Sequence, residues 1–187
     1  MAIGDRIRIP LSLDLEKMRE EVCTLPLHEY IEYSVLPLTA PRELPHSEPV
    51  TDYADGSWAE WPDTSLLEAC PYLKSVVNDF RSHTTVTLVR LLRLAPGGII
   101  KEHTDPTLGL EQERSVIRLT IPIFTNPGVG FFLNEAPVPM RPGECWYLRF
   151  TDPHRVVNDG ETERINLSID MIPNDWVRSW IQRAADA

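Results

Sequence analysis

The sequence predicts a mainly β domain with flanking helices, built as a double-sheet jelly roll. Three observations lead there. From residue 84 onward, runs rich in β-branched and aliphatic residues follow one another at short spacing; turn-forming clusters separate them; and 17 prolines against 9 glycines punctuate the chain too often for long helices. Proline stands at roughly twice its usual level of about 5%. The candidate strands are 84–94, 117–124, 130–133, 144–150, 154–157 and 164–171, with turn signals at Pro96-Gly97-Gly98, Asn126-Pro127-Gly128, Arg141-Pro142-Gly143 and Asn158-Asp159-Gly160. Short strands so spaced fit two stacked antiparallel sheets.

The remaining elements follow in order. Within 14–24, Leu15, Met18 and Val22 fall at helical spacing, with Ser12 or Asp14 available as a cap. The stretch 26–63 carries prolines 26, 37, 41, 45, 49 and 62, with Tyr30, Tyr33, Tyr53, Trp58 and Trp61 scattered among acidic residues. It reads as irregular, with edge strands at 30–35 and near Trp58, and as a loop region suited to form a lid. A helix over 65–80 starts after Thr64 or Ser65, and Pro71 should break or restart it. In 144–150, Trp146 and Tyr147 should alternate, one inside and one out. The tail 174–187 reads as a helix capped by Asn174, with Trp176, Val177 and Trp180 on one face and both tryptophans in the core. At 187 residues the chain makes one domain: a helical and irregular part (1–83), a jelly-roll core (84–172) and the terminal helix.

Composition narrows the function. Eighteen basic against 28 acidic residues give a formal net charge of -10, a field that repels nucleic acid and anionic membrane surfaces. No run approaches the roughly 18 apolar residues of a membrane span, and the first ten residues lack the apolar core of a signal peptide. The expectation is a cytoplasmic protein, monomer or homodimer, that handles a small molecule. Cys23, Cys70 and Cys145 are odd in number, widely spaced and without a CxxC pair, so they read as reduced and mostly buried thiols.

The informative stretch is Lys101-Glu102-His103-Thr104-Asp105. In extended backbone, residues two apart point to one side, so the His103 imidazole and the Asp105 carboxylate converge. His154, in Thr151-Asp152-Pro153-His154, supplies a third ligand from a later strand. Two imidazoles and a carboxylate on one face of an octahedron leave three open positions, the arrangement of non-haem Fe(II) oxygenases. Alone, such a triplet recurs by chance; His103 also fits a surface turn, Asp105 a loop cap before Pro106, and His154 a strand edge. Arg164 adds weight. A hairpin about Asn158-Asp159-Gly160 would bring it back past His154, and an inward guanidinium on a strand otherwise apolar at Ile165, Leu167 and Ile169 requires an anion. The bland alternative is an outer-face ion pair with Glu163 or Asp170.

Between residues 88 and 170, the segments APGGIIKEHTDP, IRLTIPI, PGECWYLRFTDPHRVVNDG and ERINLSID occur in that order. This run resembles the aspartyl/asparaginyl β-hydroxylase family of Fe(II)- and 2-oxoglutarate-dependent dioxygenases, which includes bacterial free-amino-acid hydroxylases. The resemblance implies a cupin-like double-stranded β-helix, with His103, Asp105 and His154 as iron ligands and catalytic centre, and Arg164 on the distal carboxylate of 2-oxoglutarate. Dioxygen would be the second cosubstrate. Arg118 matches a family arginine that faces the site and helps hold a carboxylate, making it a candidate for the substrate. Thr120 stands where many members carry a histidine on 2-oxoglutarate, so that contact is weaker or made by another group. Asp105 argues against halogenating members, which carry a small residue there. Arg90 shares strand parity with Leu92, whose spacing from His103 matches a pocket-facing family position, so Arg90 is a further substrate candidate beside Trp58. The implied reaction is hydroxylation of an unactivated C–H bond in a small carboxylate-bearing substrate, such as an amino acid. The rivals are a peptide, lipid or natural-product hydroxylase, and a jelly roll that binds a small acid at a metal without turnover.

Overall fold

The computed structural model describes residues 3–27, 32–40, 61–110 and 115–187. Ten strands and four helices lie among them: β1 (Arg6–Ile9), α1 (Leu15–Val22), β2 (Tyr33–Pro37), α2 (Ser65–Glu68), α3 (Pro71–Arg81), β3 (Val86–Leu94), β4 (Ile99–His103), β5 (Ile117–Phe124), β6 (Val129–Leu133), β7 (Ala136–Pro137), β8 (Cys145–Leu148), β9 (His154–Asn158), β10 (Arg164–Met171) and α4 (Asp175–Ala185). They form a six-stranded sheet, β1-β8-β5-β10-β3-β2, and a four-stranded sheet, β4-β9-β6-β7. Every strand pair in both is antiparallel. This is the jelly roll that the strand spacing predicts, and the N-terminal part adds both edge strands of the larger sheet.

Alternation along β3, β5 and β10 divides the molecule into two cores. Val89, Leu91, Leu119, Ile121, Leu167 and Ile169 face outward, where Met18 and Val22 of α1, Leu73 and Val77 of α3, and Val177 and Ile181 of α4 cover them. The opposite face encloses the barrel interior with Leu94, Phe131, Leu133, Trp146, Phe150 and Val156. Since apolar burial stabilises by roughly 25 cal/mol per Å², the helices exist mainly to cover the outer face of the larger sheet. Their ends follow local chemistry. Asp14 caps α1, Thr64 caps α2, Pro71 opens α3, and Asn174 accepts from the Val177 amide at 3.0 Å.

Several expectations need correction. The chain does not return from β9 to β10 as a hairpin: β9 pairs with β4 and β6, whereas β10 pairs with β3 and β5, so the Asn158-Asp159-Gly160 turn carries the chain from one sheet to the other. Gly160 is needed there because a Cβ would collide with the Asn126 side chain. Trp146 and Tyr147 do alternate, but both are buried, since α-helices cover the face that Tyr147 meets. Trp176 and Trp180 are half-buried on a surface stack with His83, leaving the core of α4 to Val177 and Ile181. Cys70 and Cys145 are buried free thiols and Cys23 is an exposed one. Tyr53, Trp58, the strand expected near Trp58 and the start of the one at 30–35 lie outside the described residues.

Candidate metal and anion site

His103 ends β4 and His154 begins β9, and the two residues are direct partners across the four-stranded sheet. Asp105 lies two residues beyond the strand end, not within it, and its amide donates to the Phe150 carbonyl at 2.9 Å. That bond turns the carboxylate back over the histidines. The ligand atoms of His103, Asp105 and His154 lie within 4.8 Å of one another, with His154 Nε2 4.0 Å from Asp105 Oδ2.

The donor set fits a divalent metal in tautomer as well as in position. His103 Nδ1 faces the Lys101 carbonyl at 2.8 Å, and His154 Nδ1 faces the Asp152 carbonyl at 3.0 Å. A carbonyl partner requires N–H at Nδ1, which leaves the Nε2 lone pair of each ring for a metal, the usual outer support of ligating histidines. Burial lowers the pKa of His154 and so favours the neutral form that coordinates. Phe131 and Phe150 pack on the His154 ring and fix its plane.

Across the interior, the larger sheet presents an unusual set of polar residues. Antiparallel partners share a face, so β10 points Arg164, Asn166, Ser168 and Asp170 inward, facing Leu94, Leu92 and Arg90 of β3 and Thr120 and Arg118 of β5. Arg164 is 4% exposed and has no carboxylate partner among the described residues. The Asn166 amide oxygen, once the amide is turned to face it, accepts from Arg164 Nη2. Its guanidinium carbon stands 6.0 Å from the Phe131 ring, which in turn stacks 6.3 Å from the His154 ring. Burial pushes Arg164 down to about 10, so it stays charged at neutral pH as a buried cation without an anionic partner among the described residues. The outer-face alternative for Arg164 does not hold, because Glu163 pairs with Arg93 and Asp170 with Arg118.

Arg118 is already engaged. Nε and Nη2 grip the Asp170 carboxylate at 2.7 and 2.8 Å, and Nη1 reaches Asp105 Oδ2 at 3.3 Å. Burial opposes its charge, but Asp170 outweighs that and raises its pKa. Arg90 differs: its Nε is buried without a hydrogen bond, and so is the Ser168 hydroxyl directly opposite. Burial first, then Arg118, lowers the Arg90 pKa. Thr120 is buried opposite Ser168, two pairs along β10 from Asn166 and further from Arg164. Trp58 lies outside the described residues. Two neighbours escape a sequence reading, Asp170 as the partner of Arg118 and Ser168 as the partner of Arg90; the polar alternation of ERINLSID was the available signal.

A jelly roll with two imidazoles and one carboxylate at its mouth has the ligand set of a mononuclear iron centre with open positions. Residues 53–173, well over half of the chain, match the Aspartyl/Asparaginyl beta-hydroxylase family, and the chain belongs to it. The L-proline cis-4-hydroxylase of Rhizobium meliloti (strain 1021) is 27% identical over 119 residues, which cover 64% of this chain and 41% of that protein. L-proline cis-3-hydroxylase 2 of a Streptomyces species is 32% identical over 121 residues, covering 63% of this chain and 40% of that protein. The match thus spans about two fifths of each curated relative's length. Among solved structures, an oxidoreductase of the 2OG-Fe(II) oxygenase family from Burkholderia pseudomallei superposes with a TM-score of 0.58 at 14% identity, covering 89% of this chain and 84% of that one. A viral collagen prolyl hydroxylase from Paramecium Bursaria Chlorella virus-1 gives 0.53 at 9% identity, covering 91% and 97%. Both share the fold.

Proposed function

We propose that the protein is an Fe(II)- and 2-oxoglutarate-dependent dioxygenase that hydroxylates a C–H bond of a small carboxylate-bearing substrate, an amino acid or a metabolite made from one. The observation that carries this reading is a tautomer-fixed His103–Asp105–His154 set facing, across one interior, a buried Arg164 with no carboxylate partner among the described residues. Bound there, iron with 2-oxoglutarate and dioxygen supplies oxidative decarboxylation to succinate and carbon dioxide, coupled to transfer of one oxygen atom into the substrate.

The chain's own residues supply position and exclusion of water. His103 and His154 present Nε2 because backbone carbonyls hold their other nitrogens. Arg118, braced by Asp170, holds the Asp105 carboxylate. Arg164 offers a guanidinium fork to the distal carboxylate of 2-oxoglutarate, with Asn166 fixing its angle. Phe131, Phe150 and Trp146 pack apolar surface beside these groups, and burial strengthens each charge contact. Since Arg118 is committed to Asp170, the substrate carboxylate falls chiefly to Arg90, with the free Ser168 hydroxyl beside it. Similarity to two L-proline hydroxylases puts L-proline first among candidates.

The test is anaerobic addition of Fe(II) and then 2-oxoglutarate to metal-free protein, followed by air with a panel of amino acids headed by L-proline. A weak visible charge-transfer band, then substrate-dependent succinate, is the expected outcome. A band without succinate for any panel member would move the substrate outside the amino acids. Neither band nor iron binding would reject the reading.

A further inference from the structure

Both Asp105 and His154 take their support from the loop that joins β8 to β9. The Phe150 carbonyl accepts from the Asp105 amide at 2.9 Å, and the Asp152 carbonyl faces His154 Nδ1 at 3.0 Å. The aim of both side chains therefore depends on where this loop is held. Within it, Arg149 Nε donates to the Asp152 carboxylate at 3.0 Å, and the Asp152 amide donates to the Arg149 carbonyl at 3.0 Å. From outside, Asn134 reaches it by two routes. Its main-chain N–H donates to the Pro153 carbonyl at 2.9 Å, and its Nδ2 donates to Asp152 Oδ2 at 2.7 Å. The same Nδ2 donates to Asp5 Oδ2 at 2.9 Å, so one neutral amide joins two carboxylates that repel each other.

Asn134 and Glu135 form the turn between β6 and β7, and both have positive φ, 50° and 63°. Such a turn favours Asn followed by Gly. A left-handed Glu is strained, and strain of this kind persists where surrounding contacts over-determine the backbone. Here Arg6 donates to the Leu133, Ala136 and Pro137 carbonyls at 2.8, 3.2 and 3.2 Å, while Asn134 ties the turn to the loop.

We propose that Asn134 is a positioning residue for the metal site. By holding Asp152 and Pro153 it fixes the carbonyl that sets the tautomer and plane of the His154 ring. This rests on the metal-centre reading. Turn preference accounts for an Asn with positive φ, but not for an amide placed between carboxylates of two distant segments.

Asn134→Gly tests it, because it keeps the positive φ and the main-chain donor and removes only the side-chain amide. The readouts are NMR of the histidine ring nitrogens in the metal-free full chain, and anaerobic Fe(II) affinity. In the variant, His154 should move from the Nδ1–H form towards a mixture of tautomers, while His103, held by the Lys101 carbonyl of its own strand, stays as in the wild type. Fe(II) should bind about tenfold more weakly, the usual worth of an outer support to a ligating histidine. Glu135→Gly, in the same turn, should leave both readouts at wild type. An unchanged His154 ring in Asn134→Gly, equal changes in both rings, or an equal change from Glu135→Gly would each overturn the proposal. If the wild type binds Fe(II) and Asn134→Gly binds it as tightly, only the Asn134 assignment fails. If the wild type binds none, the metal-centre reading fails with it.

Discussion

Asp170 decides what Arg118 does. Two parallel hydrogen bonds at 2.7 and 2.8 Å use one side of the guanidinium, and the remaining amine reaches the Asp105 carboxylate, so the arginine serves the protein's own acids before any ligand arrives. The Asp170 side chain is buried and that of Arg118 nearly so, at 6% and 13% exposure. Removing one charge from such a pair leaves the other uncompensated, which costs about 3–5 kcal/mol. Asp170→Asn is therefore expected to lower stability by about that amount in urea denaturation and to loosen Asp105, weakening iron retention roughly tenfold or more. A wild-type urea midpoint would show that the pair is not the brace inferred here. The ligands themselves behave differently. His103 is exposed and the Asp105 side chain is 30% exposed, so alanine at either position should leave the fold intact while abolishing iron retention, as read by metal analysis after dialysis. Stoichiometric iron in either variant would remove that residue from the ligand set.

Between residues and elements, the hydrogen bonds that tie one segment to another set local stability. Cys70 offers α3 no side-chain cap; Glu21, from α1, accepts instead from the Tyr72 and Leu73 amides at 2.7 and 2.9 Å. Hydrogen bonds to a charged group of this kind are worth about 2 kcal/mol, so Glu21→Ala should destabilise by that order with cosubstrate affinity unchanged; a loss under a few tenths of a kcal/mol would assign the cap to water. Asp5 binds β1 to the β6–β7 turn through Arg6 and Asn134, and the Arg6 hydrogen bond chiefly holds its carboxyl at about 2, below the ordinary 3.8. A depressed folded pKa gives stability that is present above 3.8 and lost as pH falls towards about 2. Asp5→Asn should flatten that acid limb of urea midpoints measured between those values, and an unchanged limb would place the titration elsewhere. The same scale explains what was legible beforehand. Helices α1 and α4 follow from periodicity and caps because each has one face in a core, and strands β3, β5 and β10 follow as aliphatic-rich runs largely buried on both faces. β4 is exposed at nearly every residue, so it carries no alternation to read; β1 is four residues of alternating arginine and isoleucine, too short to stand out. His103, Asp105, His154 and Arg164 are visible as residue types at telling spacings, whereas Asp170 and Ser168 gain their meaning only from cross-strand register, which sequence spacing does not contain.

At the scale of the whole molecule, the candidate site is divided between two sheets. The smaller sheet and its loop hold the three proposed metal ligands, while Arg90 and Arg164, the proposed anion-binding arginines, stand on the larger sheet. A dianionic cosubstrate that chelates the metal at one end and meets Arg164 at the other would link the two layers across their shared core. Metal alone touches only one layer, and cosubstrate alone finds only half of its partners. Thermal denaturation should therefore show a modest rise with Fe(II) under anaerobic conditions, little with 2-oxoglutarate alone, and more than the sum with both. At a hundredfold excess over Kd the combined ligand would add roughly 2.7 kcal/mol. Arg164→Ala should keep the rise from metal but lose the increment from cosubstrate, because the link to the larger sheet is gone. An equal rise from 2-oxoglutarate in metal-free and metal-loaded protein would mean that the acid binds without bridging the sheets, and a full increment in Arg164→Ala would place its distal carboxylate on another residue.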